Sequence, residues 1–177
     1  MKKFKIFKLG LKINQFPNFK MLLIYIGSDH QGFKLKESLK NYLANAGYEV
    51  VDVGNIVYDG SDDYPDFAVK VAKEVSADSL HRRGVLVCGS GVGVDVVANK
   101  FPGVRSVLAM SPDHAFISRT DDDTNVLSLG AAFVEEDEAK KILSVWLQTS
   151  FSGEERHRRR LEKIRQLEIE LKNEPSS

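Results

Sequence analysis

The chain predicts an α/β fold in which a five-stranded parallel sheet is covered by helices on both faces, a three-layer αβα sandwich. Short β-branched runs alternate along the sequence with longer stretches whose apolar residues recur every three or four positions. Strands joined through helices must run parallel, because right-handed crossovers carry the helices over the two faces. A length of 177 residues with 42% hydrophobic side chains is enough for one domain with its own core.

Leu22 to Ile26 reads as the first strand, ending at Gly27-Ser-Asp-His-Gln-Gly32. Phe33, Leu35, Leu39, Tyr42, Leu43 and Ala46 then mark the apolar face of a helix that stops at Gly47. Glu49 to Val53 is the second strand, followed by a polar loop through Gly60-Ser-Asp-Asp63. Tyr64-Pro-Asp66 opens a second helix with apolar face Phe67, Val71 and Val75. The third strand, Val85 to Val87, leads through Cys88 and a glycine-rich turn into an apolar helix reaching Asn99. Val104 to Ala109 is a fourth strand, Pro112 opens the next helix, and Val126 to Leu129 is a fifth strand. Ala139, Ile142, Leu143, Trp146 and Leu147 give a helix packed on the sheet. A charged helix from about Gly153 closes the chain, with Leu161, Ile164, Leu167 and Leu171 along one stripe. No sheet strand remains for that stripe to cover, so it is expected at an interface with another subunit.

A five-stranded sheet of this kind usually runs 2-1-3-4-5 and binds ligands beyond the strand C-termini, where strands 1 and 3 diverge. Those two strands end at Asp29-His30 and at Cys88, on the two sides of one predicted crevice. Gly89, Gly91 and Gly93 let the backbone turn tightly and let a ligand approach bare N–H groups. A thiol delivered to such a helix N-terminus is favoured as thiolate. The same residues also suit an ordinary turn with an inert buried thiol; the facing Asp-His pair favours the functional reading. Arg156 and Arg160 lie one helical turn apart and suit a phosphate, although they equally suit a solvated face paired with neighbouring glutamates. A base, amide donors for an oxyanion and a remote phosphate anchor are what proton abstraction beside a carbonyl requires. Sugar-phosphate aldose–ketose isomerisation fits, with no cofactor and no metal.

Composition narrows the alternatives. Six of the 25 basic residues (Lys2, Lys3, Lys5, Lys8, Lys12 and Lys20) fall in the first twenty positions without an acid, leaving 19 basic against 25 acidic residues in the rest. That balance argues against a nucleic-acid surface over the body. One cysteine excludes an internal disulfide and points to a reducing, cytoplasmic compartment. No apolar run approaches bilayer length. Residues 1–20 lack a secretory signal's apolar core and are expected as a basic, disordered extension ahead of a single domain over 21–177; organelle targeting is the alternative.

The stretches Gly27-Ser-Asp-His-Gln-Gly-Phe-Lys-Leu-Lys36, Asp63-Tyr-Pro65, Cys88-Gly-Ser-Gly-Val-Gly93, Ala98-Asn-Lys-Phe101 and Asp123-Thr-Asn-Val-Leu127 resemble the ribose-5-phosphate isomerase B and galactose-6-phosphate isomerase family. The resemblance spans about Met21 to Glu170 and implies a Rossmann-like fold. It also implies a homodimer or homotetramer with active sites between subunits, and interconversion of ribose 5-phosphate and ribulose 5-phosphate. By position, Cys88 would be the base, and Ser90 with the amides of Gly89, Gly91 and Gly93 would hold the enediolate, many members having Thr in place of Ser90. Asp29, His30, Tyr64, Asn99, Asp122, Arg156 and Arg160 would bind sugar or phosphate.

Two positions depart from the pattern. Where the family typically reads Arg-x-His-Asn-Asp, this chain has Arg119-Thr-Asp-Asp-Asp123, so Asp121 stands in place of the histidine usually assigned to opening the furanose ring. An ordinary aspartate is ionised at neutral pH and is a poor proton donor. A further family arginine position is Ala132, which reduces the cationic grip on phosphate. Three outcomes are open: His114, two helical turns before Asp121, supplies the acid; or the substrate is an acyclic four-carbon ketose phosphate; or the chain is a catalytically weak sugar-phosphate-binding subunit.

Overall fold

The computed structural model describes residues 22–173; the basic leader expected over 1–20 lies outside them. The elements are β1 (Leu23–Ser28), α1 (Phe33–Asn45), β2 (Glu49–Asp52), α2 (Tyr64–Ala77), β3 (Arg82–Cys88), α3 (Val92–Ala98), β4 (Ser106–Leu108), α4 (Pro112–Asp122), β5 (Val126–Gly130), α5 (Glu136–Gln148) and α6 (Glu155–Asn173). All strand pairings are parallel. No described helix is long and apolar enough to cross a membrane.

Strand parity builds two cores. Ile24, Ile26, Val85, Val87, Leu127 and Leu129 point to the face covered by α1, α4 and α5, where Leu39, Leu43, Ile142, Leu143 and Trp146 fill the layer. Tyr25, Leu86, Cys88 and Val126 point to the opposite face, under Val71, Val75 and Val94 of α2 and α3. The thiol of Cys88 therefore ends a strand on the α2/α3 side, because side chains alternate with period two.

The order is β2-β1-β3-β5-β4 rather than the expected 2-1-3-4-5, so β5 and not β4 adjoins β3. Burial explains the exchange. All five residues of β5 are buried, whereas β4 is three residues long and half-buried throughout. A short, partly exposed strand suits a sheet edge, and a fully buried one needs neighbours on both sides. The expected divergence between β1 and β3 is retained, since β1 leads to β2 on one side and β3 leads, past β5, to β4 on the other.

A second difference concerns α3. It has only seven residues, so its macrodipole is small, and individual amides rather than the helix as a whole present positive charge to the turn.

Candidate active site

Close main-chain packing makes the crevice. A Cβ on Gly32 would fall 2.5 Å from the carbonyl oxygen of Val87, so the loop after β1 lies directly on the end of β3. Gln31 packs against Gly89, and a Cβ on Gly93 would sit 2.7 Å from the ring of Tyr64. Asp29, His30, Tyr64 and the Cys88–Gly93 turn thus share one region, to which β1 and β3 bring their C-terminal ends and α2 its first residue.

Within it, Cys88 is buried, and its Sγ accepts the Gly91 N–H at 3.0 Å. Gly91 holds the turn in the left-handed region (φ = 77°) and caps α3. Ser90 is exposed at the tip, its Oγ accepting the Val92 N–H at 3.2 Å. The turn is fastened to the end of β5, with the Ala131 and Ala132 N–H groups donating to the Cys88 and Gly89 carbonyls. Asp29 is buried, accepts the Gly32 N–H at 2.9 Å, and has its pKa pushed up by burial.

His30 has a partner that no local pattern announced. Asp62 Oδ1 accepts both the His30 N–H (2.8 Å) and its Nδ1–H (2.7 Å), and this hydrogen bond raises the pKa of the imidazole. An ionised carboxylate only accepts, so Nδ1 is the protonated nitrogen in the pair. The Asp62 Oδ2 in turn accepts from the Asn55 side-chain amide, and the Asn55 carbonyl accepts from Lys36 Nζ at 2.7 Å. Lys36 is fully buried and also paired with Asp52. A lysine in the apolar stripe Phe33, Lys36, Leu39, Leu43 was the one signal of this network.

The remaining predicted residues lie elsewhere in the chain. Asp121 and Asp122 end α4, which runs back from the strand C-termini to the opposite edge of the sheet. The length of β5 separates that edge from the Cys88–Gly130 pairing, roughly 15 Å at ~3.3 Å per residue. Asp121 accepts from Thr120 Oγ1 at 2.9 Å and lies 3.6 Å from Nδ1 of His157, a buried histidine that its setting in the charged run Arg156 to Arg160 gave no reason to single out. Arg156 and Arg160 are exposed on α6, Arg156 paired with Glu154. The Asn99 amide is shared with the main chain of β4, its Oδ1 accepting the Ser106 N–H and its Nδ2 donating to the Ser106 carbonyl. His114 is exposed in the first turn of α4, seven residues or about 10 Å along the helix from Asp121.

These features converge on known relatives. The sequence model of the ribose/galactose isomerase family matches residues 24–164, and the chain belongs to that family. It is 43% identical over 147 residues to the probable ribose-5-phosphate isomerase B of Mycoplasma genitalium, covering 83% of this chain and 96% of that protein. Identity to the Escherichia coli ribose-5-phosphate isomerase B is 40% over 148 residues, covering 84% and 97%. Among solved structures, the Mycoplasma genitalium enzyme with bound ribulose 5-phosphate superposes with a TM-score of 0.81 at 42% identity, covering 84% of this chain and 97% of that one. The Clostridium thermocellum ribose-5-phosphate isomerase B gives a TM-score of 0.80 at 40% identity, covering 84% and 99%.

Proposed function

We propose that this chain, as a single domain over 21–177 behind a basic leader, interconverts ribose 5-phosphate and ribulose 5-phosphate. The observation that carries the reading is Cys88 at the C-terminal end of β3, its sulfur facing the N–H of Gly91 at 3.0 Å and flanked by the loop of Asp29 and His30. An amide dipole aimed at sulfur is what a thiolate base calls for. The Cys88 thiolate removes the C2 proton of the open-chain aldose, and the electron pair moves through C1 to its carbonyl oxygen. Ser90 and the Gly89, Gly91 and Gly93 amides hold the resulting enediolate. After the hydroxyl proton passes from O2 to O1, the Cys88 thiol returns its proton to C1, giving the ketose. Asp29, His30 and Tyr64 bind the sugar or its phosphate.

Asp121, Asp122, Arg156 and Arg160 join this site from a second copy, because within one chain the sheet stands between them and Cys88. The exposed stripe Ile164, Leu167 and Leu171 supports a homodimer or homotetramer. So does the groove of about 480 Å³ between that stripe and α4, which is lined also by Asn99, His114 and Asp122. A reducing cytoplasm suits a mechanism that rests on one free thiol.

Asp121 in place of the ring-opening histidine favours a second reading, an acyclic four-carbon ketose phosphate that needs no ring opening. Assaying the protein on ribose 5-phosphate and on erythrulose 4-phosphate separates the two. Turnover of the pentose is expected, and turnover of the tetrose alone would reverse the order. Turnover of neither would leave a sugar-phosphate-binding subunit. Cys88→Ala should lower kcat by at least about a thousandfold without changing the far-UV spectrum, and retained turnover would remove Cys88 from the mechanism.

A further inference from the structure

Asp62 lies 32 positions from His30 in sequence, yet engages it twice through a single oxygen. One bond fixes the backbone of His30 and the other fixes the rotation of its ring. We propose that Asp62 is a positioning residue for His30: clamped by Asn55 and, through it, by the buried Lys36, it holds the imidazole by Nδ1 and leaves Nε2 to donate to the substrate's phosphate. The proposal deepens the isomerase reading and rests on it for its kinetic consequence.

The clamp is built as a chain of fixed parts. Asp62 is almost wholly buried as a side chain (7% exposed), and Oδ2 is held by the Asn55 amide. Asn55 is held by the Lys36 ammonium, which cannot move because Asp52 grips it with both oxygens at 2.7 and 3.0 Å. Tyr58 meets the His30 ring edge-on at 6.5 Å between centroids. The imidazole is thereby confined on the Nδ1 side, and among the described residues no hydrogen bond engages Nε2. A ring so held donates from a defined place, and its order precedes binding rather than being imposed by it.

Charge follows from the same geometry. The titratable groups facing His30 are Asp29 on its own loop and Tyr58, Asp59 and Asp62 on the loop after β2. The carboxylates favour the imidazolium, Asp62 foremost, so His30 stays cationic to a higher pH than an ordinary histidine. An imidazolium is a charge-assisted donor to phosphate, and it compensates for the cation missing at Ala132. Because the pKa is raised, the contribution is full below the ordinary histidine range and fades as pH climbs through the raised value.

The test compares the wild-type chain with Asp62→Asn, which removes the charge while its amide oxygen can still accept from His30. Imidazole resonances are titrated by NMR from about pH 6 to about pH 9, with His30→Gln used to assign the His30 signal. KM and kcat for ribose 5-phosphate are measured over the same range. The expected result is a lower titration midpoint for His30 alone, with KM at pH 8 raised about tenfold and kcat within about twofold of wild type. An unchanged midpoint in a folded variant overturns the proposal, and so does a lowered midpoint with KM unaltered at every pH. Inorganic phosphate, followed on the His30 resonance, gives an arm independent of turnover. About tenfold weaker binding by the variant supports the clamp, and equal binding overturns it. Loss of turnover in wild type would defeat the isomerase reading while leaving that arm decisive.

Discussion

Asp121 shows how little a residue's identity says about its chemistry until its neighbours are known. As a carboxylate it suits proton donation poorly, yet it ends α4 beside the buried imidazole of His157, 3.6 Å away. If ring opening limits turnover of the furanose, Asp121→His should raise kcat on ribose 5-phosphate by about a hundredfold, the lower end of the range for a positioned acid, and leave an acyclic substrate unaffected. No gain would locate the limiting step elsewhere. Asp29, His30 and Cys88 were legible in the sequence because each lies at or just past the C-terminal end of a strand, where the fold gives little choice of direction. Asp62 was not. It is one of three aspartates in an eleven-residue polar loop, and only the folding of that loop over α1 selects it from Asp59 and Asp63.

At the scale of elements, the turn from β3 into α3 is the most constrained part of the molecule. Gly91 combines a positive φ of 77° with close contact: a Cβ there would lie 2.5 Å from Leu108 Cδ1 and 2.8 Å from the Gly130 nitrogen. Backbone on one side cannot yield, so Gly91→Ala should destabilise the protein by about 2–4 kcal/mol in chemical denaturation and displace the amide that faces Cys88. A loss below ~1 kcal/mol would show that the turn relaxes. The three glycines of this turn were legible as a loop, but their separate duties were not. Gly91 supplies a left-handed cap, Gly93 makes room for the Tyr64 ring, and Gly89 accepts the side chain of Gln31. The strand order was likewise hidden, since β4 and β5 show the same alternation with helices.

For the whole molecule, the decisive fact is that the predicted site residues occupy opposite ends of one sheet. In the dimer proposed above, these residues form one site where two copies meet, at an interface that includes α6. That helix is anchored to its own body by Glu168, whose two oxygens each accept the Gly103 N–H at 3.0 Å, so its outward stripe is presented rather than loose. Leu167→Glu places a charge in that stripe. It should shift the sedimentation coefficient toward a monomer and reduce turnover by at least about a hundredfold, in parallel. A monomer with full activity would show that one chain suffices.

The sequence by itself determined the layer architecture and the gathering of the thiol, the glycines and the Asp-His pair at the C-terminal ends of β1 and β3. Those properties follow from periodicity and from strand termini, which are local. Only the tertiary structure decided that β5 lies inside and β4 at the edge, that Asp62 clamps His30, and that Asp121 and Asp122 stand a strand's length away from Cys88. Each depends on which distant surfaces bury one another, a competition among alternative packings that spacing along the chain does not encode.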